Sequence, residues 1–163
     1  MAKVVLYMAI SSDGFIADEY DQTPWSDEEW HSFQAFAKSC NYVVMGRRTY
    51  EIMKKEDDFI KGPTYIIATS DKELNTPGFK KLSIQSKDDL PKNGKVGIIG
   101  GGELNGRLAK LDLIDEMILD IDGQELGDGI RLFGTYDIPL KLELIASKRI
   151  DPQTVQRHYR VLH

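Results

Sequence analysis

The sequence predicts an α/β protein with a mixed, mostly parallel central sheet, flanking helices and a C-terminal antiparallel hairpin. Short apolar runs alternate with segments of helical period through most of the chain, which is typical of strand–helix units around a buried sheet. Near the C-terminus, strict alternation of apolar and polar residues indicates antiparallel strands with one wetter face. The 163 residues suffice for a core of their own, so we expect a single domain over residues 1–163.

The composition argues against several classes of function. The formal net charge of −5 and the absence of a long Lys/Arg run argue against nucleic acid as a partner. Cys40 is the only cysteine and the histidines are scattered, so we expect no disulfide framework and no metal site. No signal peptide is visible, and no apolar run approaches the roughly 20 residues of a membrane span. We therefore expect a cytoplasmic protein that does not insert into a membrane.

The chain opens with a buried strand, a loop and a capped helix. The apolar run at residues 4–10 predicts the strand, and a small apolar island at Phe15–Ala17 follows it. The polar segment 18–24 comes next, and we interpret it as a lid over a site. Ser26 and Glu29 fit a capping box that starts a helix, with the Glu29 side chain reaching back to the first turn.

A second strand, at residues 41–45, leads into a short helix at residues 50–55 through Gly46, Arg47, Arg48 and Thr49. Arginine offers a planar fork suited to phosphate, and ligands of α/β sheets bind where strands run into helices. Exposed arginine pairs are usually only solvated, but a pair at this position favours a phosphate ligand. Further strands are predicted at residues 63–68, 79–84 and 95–99.

The stretch at residues 96–111 is a second strand-to-helix junction, and it contains Gly100, Gly101 and Gly102. A helix start offers unpaired N–H groups and partial positive charge, and glycines let a phosphate approach that backbone. A tight turn that binds nothing accounts for this stretch equally well. The pattern is not G-x-G-x-x-G, because Asn105 replaces the third glycine. Two phosphate-suited junctions and a lid together indicate an extended phosphorylated ligand such as a dinucleotide.

Five short motifs occur in order: SSDGFIA at residues 11–17, PW at 24–25, VVMGRRTYE at 43–51, IIGGGEL at 98–104 and LIDEMIL at 113–119. In this order and spacing the chain resembles the dihydrofolate reductase superfamily. The resemblance is greatest to the reductase domain of bacterial riboflavin biosynthesis and its small stand-alone relatives. It implies a dihydrofolate-reductase-like fold, a homodimer formed through the C-terminal strands, and an oxidoreductase that uses NADPH.

The resemblance implies hydride transfer to a small heterocyclic substrate, a pterin or pyrimidine. The activity would be like that of dihydrofolate reductase or 5-amino-6-(5-phosphoribosylamino)uracil reductase. A non-catalytic nucleotide- or pterin-binding protein is the alternative. The cofactor's adenosine phosphates would contact Gly46, Arg47, Arg48 and Thr49, with Ser70 and Lys72 at the adenosine end. The pyrophosphate would meet Gly100, Gly101, Gly102, Glu103 and Leu104, and the nicotinamide pocket would contain Ala9, Ile16 and Ala17.

The catalytic acid departs from the family pattern. Dihydrofolate reductases place a carboxylate five residues past the tryptophan of the PW motif, and Trp30 stands there in this chain. Glu29 lies one residue away, about 100° around the helix. Asp27 is a second candidate, and helix capping is our preferred interpretation of both acids. In the riboflavin branch the aspartate of S-x-D-G lies near the substrate, which indicates Asp13, although a turn role suits it equally.

Overall fold

The computed structural model describes residues 1–163 and contains ten strands and three α-helices. The strands are β1 Lys3–Ser11, β2 Phe15–Ala17, β3 Tyr42–Gly46, β4 Thr64–Ala68, β5 Lys80–Leu82, β6 Lys95–Ile98, β7 Glu116–Asp122, β8 Ile130–Arg131, β9 Lys141–Asp151 and β10 Thr154–Leu162. The helices are α1 Asp27–Ser39, α2 Arg47–Glu56 and α3 Gly102–Lys110, and a single 3₁₀ turn covers Lys87–Asp89. None of the helices combines the length and apolar character that crossing a membrane would require.

Eight of the strands form one sheet in the order β5-β4-β3-β6-β1-β7-β10-β9. The strands from β5 to β7 in that order are parallel, and β10 is antiparallel to both β7 and β9. The predicted mixed, mostly parallel sheet with a C-terminal hairpin is therefore confirmed. The apolar island inside the first loop is itself a strand, because β2 pairs with β8 in a separate two-stranded sheet.

The sheet is buried on both faces in its centre, which explains the continuous apolar runs. On β1, Val4 and Leu6 pack into the core on one side, while Val5 and Tyr7 pack into the core on the other. The edge strand β9 differs, because nearly all of its residues are exposed. The site at the carboxyl ends of the central strands is thus supported by a rigid, two-sided core.

Helix α2 begins earlier than the sequence predicts. Helix α2 starts at Arg47, directly after Gly46, and α3 starts at Gly102, directly after Gly101. Glycine is accepted at the position before a helix, so no separate capping segment is needed. The arginine pair therefore belongs to the first turn of α2, which brings it to the helix start itself.

Candidate active site

The two predicted ligand junctions are in direct contact. Strands β3 and β6 are parallel neighbours, so α2 and α3 begin side by side at one edge of the sheet. The backbone N–H of Gly46 donates a hydrogen bond of 2.8 Å to the carbonyl oxygen of Gly100. Segments that are more than 50 residues apart in sequence therefore form one continuous surface, as a single extended ligand would require.

Both helix starts are suited to an anion. Neither Gly46 nor Gly101 provides a side-chain cap, so the first N–H groups of α2 and α3 have no side-chain partner there. A Cβ added at Gly101 would meet only the Thr49 Oγ1, at 3.7 Å. One added at Gly102 would lie 2.5 Å from the carbonyl oxygen of Arg131. Gly101 therefore faces open space, whereas Gly102 is packed against the protein.

A cleft of about 1450 Å³ runs from these helix starts to the first turns of α1. This volume exceeds the 300–1,000 Å³ typical of a site for one small ligand, so it can hold a dinucleotide and a second molecule. Most of the predicted cofactor residues line it: Ala9, Ile16, Ala17, Gly46, Arg47, Arg48, Thr49, Gly101, Gly102, Glu103 and Leu104. The lining does not include Gly100, Ser70 or Lys72.

The two arginines form ion pairs with acids of neighbouring segments. Arg47 contacts Glu51 and Asp71, each at 3.1 Å, and Arg48 contacts Asp21. The arginine side chains are 52% and 74% exposed, and surface ion pairs of this kind contribute about 0–1 kcal/mol. A phosphate could therefore replace these acids. Because Asp21 lies in the segment 18–24, its pair with Arg48 also joins the predicted lid to α2.

Glu29 has a different role from the one predicted. Ser26 caps α1 as expected, accepting a bond of 3.2 Å from the Glu29 N–H, but the Glu29 side chain does not reach back. It turns inward and is only 2% exposed, and its Oε1 accepts a hydrogen bond of 2.7 Å from the Thr154 hydroxyl. Its Oε2 is buried without any partner. The capping interpretation of Glu29 is wrong, because the residue faces the cleft and β10.

Burial first, and then the neighbouring carboxyl of Asp122, raise the pKa of Glu29 to about 8. Asp122 is itself buried and lies opposite Thr154 in the β7–β10 ladder. The Thr154 hydroxyl opposes this effect by its hydrogen bond. The cleft therefore contains a carboxylic acid that is largely protonated at neutral pH.

The pKa of Glu29 predicts an unusual dependence of stability on pH. Because the folded-state value of about 8 lies above the ordinary 4.5, the folded protein keeps a proton that the unfolded chain has lost between these values. Stability must then fall as pH rises through this window. We expect Glu29→Gln to gain thermal stability over the wild type progressively from pH 5 to pH 8, as measured by melting curves. Glu28→Gln, an exposed neighbour on α1, is the control; an equal gain there would contradict the prediction.

The other two acid candidates lie in different surroundings. Asp27 lines the cleft in the first turn of α1. Asp13 lies outside the cleft lining, where its carboxylate accepts hydrogen bonds from the Ser11 hydroxyl at 2.6 Å and from the N–H groups of Leu126 and Gly127. These bonds, led by that of Ser11, lower the pKa of Asp13 to about 2. The placement of Asp13 fits the turn role and not contact with a substrate.

Sequence reasoning missed several polar groups in the neighbourhood of Glu29. The buried Tyr7 hydroxyl donates to the carboxylate of Asp120, which also accepts a bond of 2.9 Å from Gln156. Burial first, and then Asp120, raise the pKa of Tyr7. The signal for Asp120 and Asp122 was their presence in an apolar strand. For Thr154 no local signal existed, since its partner lies 125 residues away.

The dihydrofolate reductase family model matches residues 3–136. This chain belongs to the dihydrofolate reductase family. A relative within the curated proteins, the uncharacterized protein YwjB of Bacillus subtilis (strain 168), is 31% identical over 171 residues. That match covers 96% of this chain and 97% of the relative. The family model thus covers most of the chain, and the relative matches nearly all of it.

Solved structures share the fold at lower identity. A diaminohydroxyphosphoribosylaminopyrimidine deaminase/5-amino-6-(5-phosphoribosylamino)uracil reductase from Thermotoga maritima superposes with a TM-score of 0.77 at 18% identity, covering 99% of this chain and 57% of that one. Dihydrofolate reductase from Enterococcus faecalis, complexed with NADP(H) and RAB-propyl, gives a TM-score of 0.74 at 20% identity, covering 98% and 96%. At these identities the likeness concerns the fold.

The packing at Gly102 predicts a local effect on stability. Alanine is normally preferred over glycine in a helix, but a Cβ here would lie 2.5 Å from the Arg131 carbonyl oxygen and 2.8 Å from the Gly134 nitrogen. We expect Gly102→Ala to lower the free energy of unfolding by about 1–3 kcal/mol in urea titrations. Gly46→Ala is the control, because its Cβ would meet nothing closer than 3.7 Å. An unchanged stability of Gly102→Ala would refute the packing argument.

Proposed function

We propose that the protein is an NADPH-dependent reductase that transfers a hydride to a small planar heterocycle of the pterin or pyrimidine type. The observation that carries this proposal is the arrangement of one cleft. The starts of α2 and α3, each preceded by a glycine, lie with two arginines at one end, and the buried acid Glu29 lies at the other. Membership of the dihydrofolate reductase family supports it. So does the presence of NADP(H) in the Enterococcus faecalis complex.

The residues at the helix starts fit a dinucleotide phosphate. Gly101 leaves its backbone open to the cleft, and Arg47 and Arg48 offer charge beside the start of α2. NADPH, when bound, supplies the hydride. The Glu103 carboxylate accepts a bond of 2.7 Å from the Thr135 N–H, so its backbone and not its carboxylate would face the phosphates. Ile16 and the neighbouring small residues would flank the nicotinamide.

The protein itself provides position, exclusion of water and a proton. The buried apolar residues of β2, of which Ile16 and Ala17 line the cleft, exclude water there. Reduction of a ring C=N bond needs a proton as well as a hydride. Because the Thr154 hydroxyl donates to Oε1 of Glu29, the proton of the neutral acid belongs on Oε2. Glu29, which lines the cleft and has Asp122 as a neighbour, would therefore be the store of the proton for the substrate ring.

Titration with NADPH tests the proposal directly. Trp25 and Trp30 both line the cleft, so their fluorescence should be quenched saturably as the cofactor binds. Addition of a dihydropterin should then oxidise the bound NADPH. Absence of saturable binding would reject the reductase proposal.

A non-catalytic nucleotide- or pterin-binding protein is the second candidate. The complete burial of the Glu29 Oε2 favours it, because that oxygen is closed to solvent. Tight binding of NADPH without its oxidation, across a panel of pterins and pyrimidines, would favour this candidate over the enzyme.

We also propose that the protein forms a homodimer through β9. This edge strand exposes Leu142, Leu144 and Ile145, with Leu144 exposed to 52%. Exposed apolar edge strands invite pairing with another strand. Light scattering should give twice the mass of the chain for the wild type and a monomer for Leu144→Lys. Leu111→Lys, an exposed leucine at the end of α3, should leave the dimer intact; a monomeric wild type would contradict the proposal.

A further inference from the structure

The charges that line the cleft are unevenly distributed, because acids occur at both of its ends and cations at only one. Its cationic lining residues are Arg47, Arg48 and Arg131. The first two lie at the start of α2. The third lies beside the start of α3, because a Cβ built at Gly102 would lie 2.5 Å from the Arg131 carbonyl oxygen. The Arg131 guanidinium lies 5.2 Å from the centre of the Phe15 ring. All three therefore belong to the end proposed to hold the cofactor.

The opposite end is aromatic and apolar. The rings of Tyr7 and Trp30 both contact Phe33, with centroid distances of 5.9 Å and 5.3 Å. Ile52 and Met53 of α2 complete the apolar lining between α1 and α2. These side chains suit a flat ring system, which gains from stacking and from burial of its faces.

The charged residues that line this aromatic end are all acids: Asp27, Glu29 and Asp58. Asp58 lies just beyond α2, and its backbone N–H donates to the Met53 carbonyl at 3.0 Å, which fixes it beside the apolar lining. Partial burial first, and then the neighbouring acids Glu56 and Asp57, raise the pKa of Asp58. Because Glu29 is largely protonated at neutral pH, a phosphate or carboxylate bound here would meet the carboxylates of Asp27 and Asp58 and no cation.

We propose that the substrate is a planar amino-heterocycle that carries no phosphate and no carboxylate tail. This inference rests on the proposed function, because it assigns the three arginines to the cofactor. A negatively charged group of a ligand that is placed beside acids of the site loses enough binding free energy for the ligand to be rejected. The site would therefore take an unphosphorylated ring and discriminate against both a glutamate-bearing folate and a ribose-phosphate-bearing pyrimidine.

Binding of matched ligands tests this inference independently of turnover. The pairs are 6-hydroxymethyl-7,8-dihydropterin against 7,8-dihydrofolate, and 5-amino-6-ribosylaminouracil against its 5′-phosphate. Dissociation constants are measured by tryptophan fluorescence, with and without saturating NADP⁺. We expect the uncharged member of at least one pair to bind about tenfold or more tightly than its anionic partner, and neither anionic member to bind more tightly than its neutral one.

Charge variants of Asp58 test whether this acid causes the preference for the neutral ligands. Asp58→Asn should reduce the difference in dissociation constant between the neutral and the anionic member of a pair. Asp58→Arg should reduce this difference further. Glu73→Gln, which changes an exposed acid outside the cleft lining and away from Asp58, should leave this difference unchanged. Equal or tighter binding of the anionic members, binding of neither member of either pair, or a difference unaffected by Asp58→Arg would overturn the inference. Failure of NADPH to bind is a separate result that removes the proposed function.

Discussion

Replacing Glu29 by glutamine is expected to slow the oxidation of NADPH by about 10²- to 10⁴-fold, which is the usual contribution of a positioned acid or base. Glutamine keeps the shape and the acceptor for the Thr154 hydroxyl but has no proton to give. Cofactor binding should be unchanged, because Glu29 lies at the far end of the cleft from the helix starts. The loss should therefore appear in the turnover rate.

The pH profile distinguishes this role from a structural one. The wild-type rate should fall above about pH 8, where Glu29 loses its proton, and this decline should be absent from the residual rate of Glu29→Gln. Glu28→Gln serves as the control and should behave as the wild type. Since Glu29→Gln is expected to be at least as stable as the wild type, a low rate of this variant cannot be attributed to unfolding. A Glu29→Gln enzyme with the wild-type rate would contradict the assignment.

Removal of both arginines, in Arg47→Ala/Arg48→Ala, is expected to weaken NADPH binding by about a hundredfold or more. Hydrogen bonds to charged groups contribute roughly 1.5–3 kcal/mol each, which corresponds to about tenfold or more per contact. NADH lacks the extra phosphate, so its affinity should change much less, and the preference for NADPH over NADH should fall. Fluorescence titration of both cofactors measures this difference.

Asp71→Asn is the matched control for the arginines. It removes the acid that engages Arg47 at 3.1 Å and leaves the arginine in place. Its affinity for NADPH should equal or slightly exceed that of the wild type. If the double arginine variant binds both cofactors as the wild type does, the arginines do not hold a phosphate.

The strand–helix junctions could be predicted because their signals are local. At Gly46 and at Gly100 to Gly102, an apolar run changes to helical period within a few residues, and the glycines mark the turn. The two junctions touch because β3 and β6 are neighbours in the sheet, and local sequence patterns do not determine the order of the strands. The strand β2 was hidden because three residues are too few to show a period.

The acids could not be assigned because their surroundings are built from distant segments. Glu29 looks like a capping residue from its spacing to Ser26, and only the position of Thr154 shows that its side chain turns inward. Asp13 looks like a site residue from its motif, yet donors more than 110 positions further along the chain occupy its carboxylate. Long-range packing decides the role of each carboxylate, whereas the motif fixes only its place in the chain.

The hydrogen bonds from β10 and the β9–β10 hairpin to α1 have a consequence for how the molecule is made. Glu29 with Thr154, and Ser26 with Asp151, each join positions 125 residues apart, and such contacts form only after a large loss of chain freedom. The helix starts at Gly46 and Gly101 need none of these late strands. A nascent chain could thus form the proposed cofactor site before Glu29 is enclosed. The surroundings of Glu29 would form last, when β10 joins the sheet.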